Sequence, residues 1–276
     1  MRGNTIQKGR MMEKRNVKAV KIGSVEIGSG LPKICLSVGG RTREEILTQT
    51  KKSDDLPVSL IEWRADHLGE RGYEDVALQE SILLEMKEIT RKPIIYTLRT
   101  EEEGGRAGIK KRDYYSIIRD VITECTPDAL DIEAFDQEQG YDGEKVEFLV
   151  NLAHDNDKIV ILSNHEFQKT PPEEEILRRL MIMEKLGADI PKVAVMPREE
   201  KDVFILLEAA RLAGEEALST PFIALSMGEL GQTSRVCGGS FGSAMTFAAG
   251  ESTTAPGQMD AEKLYDCICA YYENNI

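Results

Sequence analysis

Short apolar runs alternate along this chain with longer stretches whose apolar residues recur every three or four positions. The short runs predict eight strands, at 33–38, 59–64, 93–100, 129–134, 158–165, 192–196, 221–227 and 242–248. Their length and their Gly and Pro boundaries favour strands over buried helical segments. They return roughly every thirty residues, the spacing of a strand–helix unit. Between them, Val76, Leu83, Leu84 and Ile89 give 74–90 an amphipathic helical face. Thr170-Pro171-Pro172-Glu173 predicts a helix start with Thr170 as N-cap, continuing through Ile176, Leu177, Leu180 and Met183. The stretches 198–218 and 259–273 read as helices too. Strands separated by helices predict an α/β fold, a closed parallel (β/α)8 TIM barrel more than an open doubly wound sheet. No Gly-x-Gly-x-x-Gly follows the first strand, which weakens a dinucleotide-binding alternative. Residues 17–29 read as two short strands around Gly23-Ser24, a β-hairpin expected to close the barrel bottom.

No linker divides the 276 residues, so 17–276 is expected to be a single barrel domain. Residues 1–16 are polar and basic, an expected flexible end without the apolar stretch of a secretory signal. The net charge of −13 disfavours nucleic acid and anionic membranes as partners. No apolar run is long enough to span a bilayer. Five cysteines (Cys35, Cys125, Cys237, Cys267 and Cys269) form neither a disulfide framework nor a zinc spacing. Free thiols, a cytoplasmic location and no bound metal are the expectation.

Polar residues interrupt the strands where a barrel interior should be apolar. Period-2 alternation aligns Leu60, Glu62 and Arg64; Thr97 and Arg99; Asp131 and Glu133; Ile161, Ser163 and His165; and Lys192, Ala194 and Met196. An ion-pair layer with no chemical role would account for Glu62, Arg64, Arg99 and Glu133. Lys192 is the sharper signal. Desolvation disfavours an ammonium, and a neutral amine near pH 7 is a nucleophile able to form a Schiff base with a ketone. The plainer alternative is an ion-paired structural lysine, or one whose amine reaches water. Ala194 leaves the long stem room to climb between apolar walls, towards His165 on the neighbouring strand, a candidate acid/base. His67 and His154 read as surface residues.

Ser163-Asn164-His165-Glu166-Phe167, Pro191-Lys192-Val193-Ala194-Val195-Met196-Pro197 and Ala255-Pro256-Gly257-Gln258, together with Glu62-Trp63-Arg64, Thr97-Leu98-Arg99-Thr100 and Glu103-Gly104-Gly105, resemble type I 3-dehydroquinate dehydratase. The resemblance runs in order from about Lys33 to the C-terminus. It implies dehydration of the small molecule 3-dehydroquinate to 3-dehydroshikimate, in the shikimate route to aromatic compounds, without metal or dissociable cofactor. It also implies a homodimer. By the same resemblance Lys192 is the Schiff-base lysine, His165 the general acid/base and Glu103 the carboxylate orienting that histidine. Ser37, Glu62, Arg64 and Arg99 surround the substrate hydroxyls, Arg235 and Gln258 take its carboxylate, and Phe247 lines the pocket. Thr254 stands where the family commonly has Ser, Asn164 where an aromatic is common, and Leu225 where Met is frequent. The Gly-, Ser- and Thr-rich stretches 228–242 and 249–258 read as loops, the second a lid closing over substrate through Thr254 and Gln258. The alternatives are a class I Schiff-base aldolase, or a barrel that binds a metabolite without catalysis.

Overall fold

The computed structural model describes residues 17–106, 108–135, 143–250 and 253–273. The N-terminal end 1–16, expected to be flexible, lies outside them. The chain opens with an antiparallel hairpin of β1 (Val20–Ile22) and β2 (Val25–Ile27), turning at Gly23 with φ 55°. Eight parallel strands follow: β3 (Lys33–Val38), β4 (Leu60–Arg64), β5 (Ile94–Thr97), β6 (Ala129–Glu133), β7 (Ile159–Glu166), β8 (Ile190–Val195), β9 (Ile223–Ser226) and β10 (Met245–Ala249). Each pairs with the next from β3 to β9, and β10 pairs with β3. The ring closes between β9 and β10 at a parallel bridge, Phe222 to Ser243, where the Ala244 N–H donates to the Phe222 carbonyl at 2.8 Å. The helices are α1 (Arg43–Lys52), α2 (Val76–Ile89), α3 (Lys111–Glu124), α4 (Gly143–Asp155), α5 (Glu173–Lys185), α6 (Glu200–Leu212), α7 (Gln232–Cys237) and α8 (Ala261–Tyr272). A two-residue strand, β11 (Met259–Asp260), pairs with the end of β10.

Strand alternation divides the core in two. Outward side chains such as Trp63, Ile132 and Leu162 pack against helix residues including Ile82, Ile118 and Leu180. Inward ones such as Leu60, Ile95, Ile161, Ile190 and Ile223 form a second cluster with Ile22 and Ile27 of the hairpin. Ile22 and Ile27 are fully buried, and Gly23 and Gly28 abut Pro93 and Pro221 at the N-terminal ends of β5 and β9. The hairpin therefore plugs the barrel bottom, each isoleucine contributing about 1.5–3 kcal/mol of apolar burial. That closes one end and leaves the C-terminal end as the open one.

Several boundaries differ from the sequence reading. Lys192 is the third residue of β8, not the first, because Ile190 and Pro191 already pair with Ile161 and Leu162. Thr170 does not cap a helix: α5 starts at Glu173, and the Thr170 hydroxyl donates to the Met196 carbonyl at 3.2 Å. Pro171 pushes Thr170 away from helical geometry, and Pro172 itself is extended at ψ 152°. The stretch 228–242 is not mainly loop, since α7 and a 3-10 turn over Gly238–Phe241 occupy much of it. His67 is buried, in a 3-10 turn after β4, rather than on the surface.

Candidate active site

Every strand from β3 to β8 changes character on its inward face as it rises. Cys35 gives way to Ser37, Leu60 to Glu62 and Arg64, Ile95 to Thr97, Ala129 to Asp131 and Glu133, Ile161 to Ser163 and His165, and Ile190 to Lys192. β9 and β10 stay apolar, with Leu225 and Phe247 facing in. The open end thus has a charged side and an apolar side, enclosing a cavity of about 500 Å³ with its mouth included. All the residues expected at the site line this cavity except Ser37. Ser37 lies behind it, donating to Glu62 at 2.8 Å and accepting from Gln258 at 3.1 Å.

Lys192 is 3% exposed, but the surroundings of its amine are not the apolar walls expected from sequence. Its Nζ donates to Asp131 Oδ2 at 2.8 Å, lies 3.8 Å from Glu62 Oε1, and stands 4.3 Å above the Phe247 ring. Asp131 also accepts from Arg99 Nη2 at 2.7 Å and from the Ser163 hydroxyl at 2.6 Å. Burial would raise the Asp131 carboxyl, but Arg99 and Lys192 together hold it well below the usual carboxylate range. A fixed anion therefore sits against the lysine nitrogen.

His165 ends the same inward row one strand away, its ring Nδ1 at 2.9 Å from Glu103 Oε2. The same oxygen accepts the His165 backbone N–H at 3.0 Å. Glu103 comes from a 3-10 turn after β5, which ends at Gly104 with φ 83°. A Cβ at Gly104 would come 2.1 Å from the Phe167 ring, so glycine lets that turn close over the site. Burial, with the positive charges of Arg99 and Lys192, pushes the His165 imidazole well below its ordinary value. Burial and the neighbouring Glu133 charge raise Glu103 to about 8. Both shifts oppose charge separation, so an unprotonated imidazole faces the cavity near the lysine amine.

Arg235, from α7, reaches the apolar side. Its guanidinium donates to two carbonyls, Phe247 at 3.3 Å and Pro256 at 3.0 Å, and its Nε has no partner among the described residues. Desolvation pulls it down to about 10. No carboxylate of the described residues pairs with it, whereas the other inward arginines are neutralised: Arg64 by Asp66 at 2.8 and 2.9 Å, and Arg99 by Asp131. The segment 253–258 lies across the mouth. Gln258 Oε1 accepts the N–H groups of Thr254 and Ala255, and the Thr254 carbonyl accepts from Arg64 at 3.2 Å. Gly257, at φ 73°, passes so close to Gly228 that a Cβ would lie 2.1 Å from the Gly228 carbonyl oxygen.

A buried lysine, a histidine–glutamate pair and an unpaired arginine around one barrel mouth narrow the chemistry, and the sequence as a whole decides the family. Residues 34–274 match the family model of type I 3-dehydroquinase. The chain belongs to the type I 3-dehydroquinase family. Membership makes it a lyase. A 3-dehydroquinate dehydratase of Clostridium novyi (strain NT) is 38% identical over 253 residues, covering 91% of this chain and 97% of that protein. Among solved structures, type I 3-dehydroquinate dehydratase from Clostridium difficile with covalently modified comenic acid superimposes with a TM-score of 0.85 at 35% identity. That match covers 93% of this chain and 98% of the other. 3-Dehydroquinate dehydratase from Geobacillus kaustophilus HTA426 gives a TM-score of 0.86 at 30% identity, covering 95% and 98%. Seen as a type I 3-dehydroquinase, the chain also shows what its sequence left unread. Asp131 was visible as an inward strand residue, but not as the partner of Lys192. Asp66, which grips Arg64 with both oxygens, stands two residues beyond it, a spacing that carries no pairing signal in a strand-to-turn transition.

Proposed function

We propose that this protein dehydrates 3-dehydroquinate to 3-dehydroshikimate through an imine on Lys192, with His165 as general acid/base. The observation that carries the reading is one cavity at the barrel mouth holding the Lys192 amine, the His165 ring and an Arg235 guanidinium that no carboxylate of the described residues pairs with. Lys192 Nζ attacks the C3 ketone, and the carbinolamine loses water to give a protonated imine. Asp131, at 2.8 Å, favours positive charge on that nitrogen, which stabilises the iminium. The iminium acidifies C2, and His165 removes a proton there to leave an enamine. The C1 hydroxyl then departs as water, taking its proton back from His165. Hydrolysis of the product imine frees Lys192. Arg235 and Gln258 take the substrate carboxylate, a local positive site that a chain of net charge −13 needs for an anion. Glu62, Arg64 and Arg99 face the hydroxyls, with Ser37 behind them supporting Glu62 and Gln258 rather than touching substrate; Phe247 covers the ring, and Thr254 with Gln258 closes the segment above it.

The pathway role is the shikimate route to aromatic compounds, served by a cytoplasmic homodimer. Among the described residues no helix is long and apolar enough to cross a membrane. Sedimentation at micromolar concentration checks the dimer, and a monomer would refute it. The chemical test is borohydride trapping during turnover of 3-dehydroquinate, with the adduct mapped by mass spectrometry. The adduct is expected on Lys192 and absent from Lys192→Ala, which should lose turnover. A wild-type enzyme that turns over without trapping would refute the imine, and a trapped aldol donor would favour the aldolase alternative. Amide exchange that slows in 253–258 with a bound substrate analogue is the expected signature of a lid.

A further inference from the structure

Asn164 lies between His165 and Ser163 on β7, so alternation turns its side chain away from the barrel interior. The layer it enters is apolar, with Leu162, Val193 and Val195 as its company, and Asn164 is 6% exposed. A buried amide there needs partners, and it has two. Arg179 Nη1, from α5, donates to Asn164 Oδ1 at 2.6 Å. Asn164 Nδ2 in turn donates to Glu103 Oε1 at 3.3 Å. A guanidinium only donates, so Arg179 fixes which end of the amide faces it, and the NH2 must face Glu103. Arg179 is itself held by Glu175 at 2.8 Å and by the Phe135 ring at 5.9 Å.

We propose that Asn164, oriented by Arg179, is a positioning residue that favours the carboxylate form of Glu103, the form that accepts the His165 Nδ1–H and leaves Nε2 free to take the substrate proton. The inference rests on the base role given to His165 above. The alternative arrangement has a protonated Glu103 donating to Nδ1, which puts the ring proton on Nε2 and blocks the base. The other charged groups facing Glu103 are Arg99 at 3.5 Å from the end of β5, Lys111 from α3, Glu133 from β6 and His165 itself. Arg99 and Lys111 favour the carboxylate, as the Asn164 amide does, while burial and Glu133 oppose it. The balance is close enough for one amide to matter.

The test is the pH profile of kcat/KM for N164L, R179M and R179K, each also trapped with borohydride during turnover. N164L is expected to move the acidic limb alkaline by about one pH unit, with the plateau at higher pH largely kept. R179M, whose amide is free to flip, should move it the same way by less, and R179K, which can still donate to Oδ1, should restore the wild-type limb. R179M carries the test if N164L does not fold. An adduct on Lys192 in every variant, with an unshifted limb in N164L and R179M, overturns the positioning role while leaving the imine intact. No adduct in the wild type defeats the imine reading, and this inference falls with it.

Discussion

Arg235 combines a cost in the empty protein with a gain in the complex, and Arg235→Met separates the two. In the folded state burial pulls its guanidinium down to about 10, which corresponds to about 3 kcal/mol of lost solvation. Methionine fills a similar volume without a charge. It forfeits two guanidinium–carbonyl hydrogen bonds, to Phe247 and Pro256, and leaves those oxygens with about 1 kcal/mol each of unmet hydrogen bonding. The net expectation is a ligand-free protein as stable as the wild type, or more stable by about 1 kcal/mol, in urea unfolding. Turnover should move the other way. Losing two charge-assisted bonds to a substrate carboxylate removes about 3 kcal/mol, so kcat/KM should drop about 100-fold or more, read from the ultraviolet absorbance of the conjugated product. A carboxylate-bearing substrate analogue should raise the unfolding midpoint of the wild type and not of the variant. A variant less stable by 2 kcal/mol or more with near-normal kcat/KM would refute the reasoning, and would make Arg235 a structural pin between α7 and the 253–258 segment.

Three further outcomes are expected. Glu103→Gln should be more stable than the wild type at pH 9, and the difference should vanish below pH 4.5. The reason is that the folded carboxyl titrates near 8, so the stability of its protonated form is present below the unfolded value and is lost as pH rises through about 8; urea midpoints across that range check it, together with a fall in kcat of about 10²-fold or more from the lost His165 partner. Ile22→Ala should cost about 2–4 kcal/mol, measured by urea unfolding, because it opens a cavity in the fully buried barrel plug, yet leave kcat/KM within about threefold, since the plug is at the opposite end from the site. Gly257→Ala should raise KM about tenfold or more, because a Cβ there meets the Gly228 carbonyl and the strained φ is lost; an unchanged KM would mean that the segment does not need this close approach.

The eight barrel strands, the hairpin and the main helices were legible because each has a local cause. Period-2 and period-3.6 patterns come from burial of one face, and the turn at Gly23 from a backbone that only glycine adopts freely. Where two local signals competed, as at Thr170-Pro171-Pro172, the cap pattern lost to the prolines' own geometry. The strand-borne site residues were legible for a different reason: charged side chains at inward positions of an apolar strand are costly, and so stand out. Glu103, Arg235, Thr254 and Gln258, which lie off the strands, were named only by the family resemblance. Their partners did not stand out. His67 looked like a loop residue, yet the turn after β4 folds it beneath Gly39.

By itself the sequence determined an eight-stranded parallel barrel with a plugged bottom, a polar ring at its open end, and Lys192 and His165 as residues of interest, from patterns a few residues long. Glu103 and Arg235 came only from the ordered resemblance to the family. Only the tertiary structure decided what each of them faces. It set Asp131 rather than apolar walls against the Lys192 amine, 61 residues away in sequence. It joined Arg179 and Asn164 to Glu103 from three elements, and left Arg235 without a carboxylate among the described residues while pairing Arg64 and Arg99. Closing a barrel brings distant strands to one height, and hydrogen bonds and charges act over a few ångströms of space rather than along the chain.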